Sequence, residues 1–334
     1  MSRRKNISIR FIAEKCGVSS ATVSRALNND RGVTEATRRR VLEAVSQYNY
    51  VSPPNRKNGI ERIGVIIPEG FSHYYITLLG MVGNFFREID VPTIAINTER
   101  KENYLPTALE TMYRCDVSGV ILIGCDYLSV KNHISRKIPH VWLDCNDPPE
   151  DTTEIYQVQS DQYVAGKLAA QEFVRTGCRT PIILCGAHDS HRNRDRLAGF
   201  TEEFEKTGLT LSPEQIQYLP EIKPMVTEGQ DIIRYLVTKG QEFDSVFAMG
   251  DSRAVGAFMA LNKMGRRIPE DVKLMGFDGV AQANISVLDI TSIQQNVELL
   301  ARNACETLVS LMNGQPVETK RMLVPTSVLS GKTM

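Results

Sequence analysis

Residues 18–28 read VSSATVSRALN. Ser19 is a helix-capping residue type, and Val23, Ala26 and Leu27 follow it at helical spacing, so the stretch predicts a short amphipathic helix. Its outer face carries Ser20, Ala21, Thr22, Ser24 and Arg25. Small side chains at the start of such a helix allow close approach to a DNA groove. Upstream, Ser8 is placed to cap a first helix with Ile9, Ile12, Ala13 and Cys16 on one stripe, and Gly17 ends it. Downstream, a third helix starts at Thr34 behind Val33 and is expected to bury Val41, Leu42, Val45 and Tyr48. Residues 1–50 therefore read as a three-helix unit with VSSATVSRALN as the second helix of a helix-turn-helix. A plain three-helix bundle would show the same periodicity.

Charge separates these two readings. Residues 1–62 carry 13 Lys or Arg against 5 Asp or Glu, while residues 63–334 carry 26 against 34. The chain's 39 basic and 39 acidic side chains cancel overall, which hides a basic head on an acidic body. One end is thus suited to displace counterions from phosphates.

At 334 residues the chain is long enough for a head and one or two α/β lobes. No apolar run reaches the ~18 residues of a membrane span. The charged N-terminus lacks the apolar stretch of a signal peptide, so a cytoplasmic protein with no membrane partner is expected. The seven cysteines (Cys16, Cys115, Cys125, Cys145, Cys178, Cys185, Cys305) are odd in number, scattered and without a Cys-x-x-Cys. They read as reduced, mostly buried thiols. His188 and His191 lack a third ligand at fitting spacing, and no metal or other cofactor is expected. Gly331-Lys332-Thr333 looks like the end of a phosphate-binding loop, but Thr326 stands where its first glycine belongs and no helix follows. Without a nucleophile motif or a G-x-G-x-x-G after a strand, the chain does not read as an enzyme.

Residues 51–62, VSPPNRKNGIER, have linker composition. Beyond them come the apolar runs IGVIIP (63–68), VSGVILIG (117–124), PHVWLD (139–144), PIILCG (181–186), SVFAMG (245–250) and KLMGFD (273–278), most followed by a helical segment. Repeated βα units predict parallel sheets flanked by helices, and a body of this length divides best into two lobes. Asp144, Asp251 and Asp278 stand at carboxyl ends of strands, where ligands of such sheets bind.

Several spaced motifs carry a family resemblance. They are VSSATVSRALN, the TR-x-RV run at Thr37–Val41, Ile63-Gly64, Asp161 with Ala165-Gly166, Arg196-Leu197-Ala198-Gly199-Phe200, Gly250-Asp251, Gly276-Phe277-Asp278 and Ile293 to Gln295. In this order, over residues 8 to about 331, the chain resembles the LacI/GalR family of bacterial transcription regulators. The resemblance implies an N-terminal helix-turn-helix head and an α/β periplasmic-binding-protein-like body of two parallel-sheet lobes. It implies a head over 1–50, a linker over 51–62, an N-lobe of about 63–157 and 297–323, and a C-lobe of about 158–296 and 324–334. The chain then crosses between lobes near residues 157, 296 and 323.

Carried onto this sequence, the family's DNA-reading positions are Ser20 and Ala21, with Arg25 further along. Ser19, Thr22, Ser24, Asn28 and Arg38 complete the expected DNA-binding set. Arg25 has the fork that suits guanine, and alternatively serves a phosphate. Two departures stand out. Phe11 takes the place of the first helix's usual acid, so the capping box is missing. The expected hinge helix is replaced by a short stretch containing Gly59 and Glu61, so minor-groove wedging is expected to be weak, absent or supplied by Ile60.

The implied effector positions are Tyr74, Tyr75, Asp144, Arg196, Asp251, Asp278 and Gln295. Carboxylates and a guanidinium suit a polyol, and an aromatic face suits the apolar side of a sugar ring. Alternatives stay open: helix caps for Asp251 and Asp278, lobe core for Tyr74 and Tyr75, and a surface pair with Asp195 or Glu203 for Arg196. Trp142 reads as sheet packing. Arg192 and Arg194 beside Arg196 read first as a solvated helix face; turned to a cleft, Arg192 with Arg196 would favour an anion such as a sugar phosphate or sugar acid. The expected function is an effector-responsive regulator, most simply a repressor, acting as a homodimer on a pseudo-palindromic double-stranded operator. With no heptad tail before Met334, dimers and not tetramers are expected. The alternative is a body that docks a protein corepressor.

Overall fold

The computed structural model describes residues 8–27, 32–48, 50, 61–70, 72–101, 104–145, 155–186, 190–219, 224–279 and 288–334. Asn28, His188, Ile60, Gly59 and most of the 51–62 linker lie outside them.

The head is made of α1 (Ile9–Cys16), α2 (Ser20–Leu27) and α3 (Glu35–Gln47). Ser8 caps α1 by accepting from the Phe11 N–H at 3.3 Å, and Gly17 closes it at φ 61°. Ser19 accepts from Thr22 N–H at 3.1 Å, and Thr34 from Thr37 N–H at 3.3 Å. Ile12, Val23, Ala26 and Val41 bury the three inner faces against each other. Leu42, expected inside, is 48% exposed. Helical phase explains the difference: Val41 and Ala44 take the inward stripe of α3, Val45 and Tyr48 flank it half-buried, and Leu42 lies one step round from Val41. Phe11 packs edge-on against Tyr48, with ring centroids 5.2 Å apart. An aromatic clasp between α1 and the end of α3 thus occupies the position of the missing capping-box acid.

The body begins with β1 (Ile63–Ile67), α4 (His73–Glu88), β2 (Thr93–Asn97), α5 (Tyr104–Arg114), β3 (Gly119–Ile123), β4 (His140–Leu143) and β5 (Tyr156–Ser160). It continues with α6 (Gln162–Arg175), β6 (Pro181–Cys185), α7 (His191–Glu205), β7 (Ile216–Tyr218), α8 (Met225–Thr238), β8 (Ser245–Ala248), α9 (Asp251–Lys263), β9 (Lys273–Asp278) and β10 (Thr291–Gln295). The last elements are α10 (Val297–Met312), β11 (Arg321–Val324) and β12 (Thr326–Leu329). All six apolar runs contain strands.

Two six-stranded sheets result, ordered β11-β5-β4-β3-β1-β2 and β12-β10-β9-β8-β6-β7. Every pairing is parallel except β12 against β10. Side chains alternate across each strand and supply a core on both faces. Val65 and Ile67 pack toward α4 and α10, while Ile66 packs toward α5 with a fully buried Trp142. In the second sheet Ile183 and Cys185 face α6 and α7, and Ile182 and Leu184 face α8 and α9. The chain passes between the sheets at Asp161, Asn296 and Pro325.

The terminal Gly-Lys-Thr run closes the second sheet. Thr333 Oγ1 donates to Leu274 O at 2.6 Å and accepts from Thr291 N–H at 2.9 Å, while Leu274 N–H donates to Thr333 O at 2.7 Å.

Candidate functional site

Each sheet reverses its winding once, between β1 and β3 and between β6 and β8, and ligands of such sheets sit outside the carboxyl strand ends near those points. Tyr74 and Tyr75 arrive there on the first turn of α4, Asp144 just after β4, Arg192 and Arg196 on α7, Asp278 at the end of β9, and Gln295 at the end of β10. Two aspartates are held at positive φ, Asp144 at 57° and Asp278 at 112°. Such outliers are costly and collect where a side chain must be aimed.

These groups link the two lobes by hydrogen bonds, with Arg192, Asp144 and Tyr75 in one set and Tyr74, Gln295, Asp278, Gln162 and Arg196 in another. Arg192 Nη1 donates to Asp144 Oδ2 at 2.5 Å and Nη2 to Tyr75 Oη at 2.9 Å. Tyr74 Oη donates to Gln295 Oε1 at 3.2 Å, and Gln295 Nε2 donates to Asp278 Oδ1 at 2.9 Å. Arg196 donates through Nε (3.1 Å) and Nη2 (2.6 Å) to Gln162 Oε1, and through Nη1 to Met249 O at 3.3 Å. Its guanidinium lies 3.2 Å from the centre of the Phe277 ring, a cation–π stack.

Arg192 therefore corrects the solvated-face reading: its side chain is 17% exposed and points across the cleft. The surface reading of Arg196 also falls, because Arg196 is buried while Asp195 pairs with His191 and Glu203 with Lys206. Arg194 alone of the three faces outward. Tyr74 and Tyr75 belong to the N-lobe core and also turn their hydroxyls to the cleft. Asp251 stands in the first turn of α9 and accepts from Ser292 Oγ at 2.6 Å beneath Gly276, where a Cβ would lie 2.4 Å from its Oδ1. Gln162 and Phe277 were not singled out as site residues from the sequence. The only signal for Gln162 was its place after the Asp161 cap.

Burial pulls the Arg196 guanidinium down to about 10, which leaves it charged at neutral pH. Burial pushes the Asp278 carboxyl up to about 6, the Asp144 charge adding to the rise and Arg196 and Gln295 opposing it. The folded chain thus takes up the Asp278 proton at higher pH than an ordinary carboxyl of 3.8. The resulting stabilisation is full below that value and is lost as pH rises through about 6. Asp278→Asn, which cannot ionise, is expected to remove this decline from the pH profile of the thermal midpoint between pH 4 and 7. An unchanged profile would show that another group titrates there.

On the head, Ser19, Ala21 and Arg25 are exposed and Ser20, Thr22 and Ser24 half-buried along α2, with Arg38 half-buried on α3. At the start of α2 the small side chains Ser20, Ala21 and Thr22 lie on the outer side of the helix, while Val23 turns into the core. No group of His, Cys, Asp and Glu among the described residues is arranged to hold a metal. No helix among them is long and apolar enough to cross a membrane.

A small helical head with an exposed second helix, joined to two doubly wound lobes with a polar cleft, defines a DNA-binding regulator built on a ligand-binding body. Residues 8–54 match the family model of bacterial regulatory proteins of the lacI family, and residues 170–334 match the periplasmic binding protein-like domain. The chain thus carries a lacI-family helix-turn-helix domain and a periplasmic binding protein-like domain. It is 28% identical to the ribose operon repressor of Halalkalibacterium halodurans, covering 97% of this chain and 96% of that one. It is 26% identical to the transcriptional repressor PurR of Haemophilus influenzae over 90% of each. Among solved structures, the lac repressor dimer bound to operator and an anti-inducer superposes with a TM-score of 0.72 at 23% identity over 98% of both chains. The CelR–cellobiose complex gives 0.73 at 24% over 98% of this chain and 99% of that one.

Proposed function

We propose that this chain is a cytoplasmic repressor that binds a pseudo-palindromic operator as a homodimer and is controlled by a neutral, hydroxyl-rich small molecule of the sugar class held between the lobes. The head over 1–50 reads DNA through Ser19, Ser20, Ala21, Thr22, Ser24, Arg25, Asn28 and Arg38. The linker over 51–62 joins it to the body. Arg25 is the guanine reader and the hydroxyls serve phosphates.

One observation carries the choice of ligand. Asp144 Oδ1 is a buried carboxylate oxygen without a hydrogen-bond partner, at the carboxyl end of a strand in the cleft. Such an oxygen calls for a donor, and a ligand hydroxyl supplies one. Charge balance argues against an anion: Asp144 counters Arg192, and the field of Asp278 reaches Arg196, so the two guanidiniums face two carboxylates. A sugar donates to the carboxylates, accepts from Arg196 and lays an apolar face on Tyr74. The ribose operon repressor and the cellobiose complex among the relatives support this class.

The test is a thermal-shift screen of the full-length protein with D-ribose, cellobiose and other neutral pentoses and hexoses beside their phosphates and acids. At 100 times its dissociation constant a ligand adds about 2.7 kcal/mol, a shift of several degrees. The expected result is a shift with a neutral sugar that Arg196→Ala abolishes. A shift with phosphates or acids alone overturns the neutral class. Silence toward all of them, in protein that still binds DNA, favours a protein corepressor.

A further inference from the structure

The last carbonyls of an α-helix have no partner within it. In α2 the terminal Leu27 carbonyl accepts from the side-chain Nε2 of Gln315 at 2.9 Å. Gln315 belongs to the body, in the turn after α10, where Gly314 (φ 66°) reverses the chain and the Gln315 N–H donates to Ser310 O at 2.9 Å. The amide thus meets the negative end of the helix dipole from a fixed turn.

The opposite end of α10 starts beside the cleft. Gln295, which holds Tyr74 and Asp278, is separated from Val297 only by the capping residue Asn296. The 16-residue α10 spans about 24 Å and is locked to α4 and the first sheet by Leu300, Ala304 and Leu308. A single packed rod therefore runs from the cleft to the end of the helix that carries the DNA-reading residues. The docked end is the carboxyl end of α2, so Ser20 and Ala21 at the other end stay available to a groove.

We propose that the turn at Gln315 is a docking surface for the carboxyl end of α2. It fixes where the head sits on the body and couples cleft closure to head position by direct contact. The inference rests on the reading of the chain as a DNA-binding dimer. The composition of the linker agrees with it, since Pro53, Pro54 and Gly59 do not favour a helix that would hold the head by itself.

Two measurements on the full-length protein test it. Without DNA, ¹⁵N relaxation at Val23 and Ala26 reports how the head tumbles. It is expected to follow the body in the wild type and in Gln315→Lys, which keeps a donor, and to quicken in Gln315→Ala. A wild-type head that tumbles freely overturns the proposal, whatever the chain's DNA binding. With DNA, operators selected from a random library by the wild type are re-synthesised with half-site spacing changed by one and two base pairs. One such hydrogen bond corresponds to about fivefold per head. Gln315→Ala is expected to flatten the spacing preference while binding a single half-site as the wild type does. An unchanged spacing profile, or loss of half-site binding, overturns the proposal. Failure to select any operator, with the head docked, counts against the DNA-binding reading instead.

Discussion

Asp144→Asn is expected to destabilise the body by about 3 kcal/mol, measured as a lowered urea midpoint. Asparagine keeps the shape of the side chain and tolerates the left-handed backbone that Asp144 adopts at φ 57°, so the change isolates the charge. The carboxylate is fully buried, and its removal takes from Arg192 the anion it is paired with. A guanidinium left in that position keeps its desolvation cost and loses its main compensation. Arg192→Met is expected to cost a similar amount from the other side, by stranding Asp144. The double variant Asp144→Asn/Arg192→Met should be less damaged than the sum by at least about 1 kcal/mol, because it removes both charges together. Since the pair joins the lobes, the single variants should also shift the solution scattering profile toward a larger radius of gyration. Additive losses with no expansion would mean that the contact does not hold the lobes together.

The parts of this molecule that were legible in the sequence are those where one physical demand dominates. The head helices followed from a capping residue and an apolar stripe, and six strands followed from apolar runs buried on both sheet faces. The strands with weaker signals carry mixed demands. β5 (YQVQS) and β10 (TSIQQ) run into the lobe junction, where buried Gln157, Gln159, Ser160, Ser292 and Gln295 replace the apolar residues that mark a strand. β11 and β12 are edge strands with exposed Leu323 and Leu329 and alternate too briefly to be read as strands. Of the residues lining the cleft, Asp144 and Asp278 were legible as carboxylates at strand ends, whereas Tyr74, Tyr75, Arg196 and Gln295 came only from the family resemblance. The pairing of these groups was not legible. The four-residue spacing of Arg192 and Arg196 places both on one helical face, but only the packing of α7 decides that this face turns inward.

That packing rests on two glycines and leads to a second large effect. An ideal Cβ at Gly199 would sit 2.0 Å from Tyr163 O, and one at Gly166 would sit 2.0 Å from Arg196 O. Each contact is with the backbone of the facing helix, so no side chain can rotate out of the way. α6 and α7 therefore touch main chain to main chain, and Arg196 stands at the crossing itself. Gly199→Ala must push the helices apart, with an expected loss of about 3 kcal/mol or more in stability. The displacement acts first on Arg196, whose bonds to Gln162 Oε1 reach back to α6, and through Gln162 on Gln295 and Tyr74. Gly199→Ala is thus expected to abolish ligand binding, measured by calorimetry at a temperature where the body remains folded, while leaving the head's affinity for a single half-site near the wild-type value. Gly208→Ala is a useful control, because that glycine is also conformationally special at φ 82° yet has nothing within 4 Å of its Cβ position. It should cost about 1 kcal/mol from backbone strain alone and keep the ligand response. If both variants lose stability equally and both still respond to ligand, the close crossing of α6 and α7 does not set the geometry of the cleft.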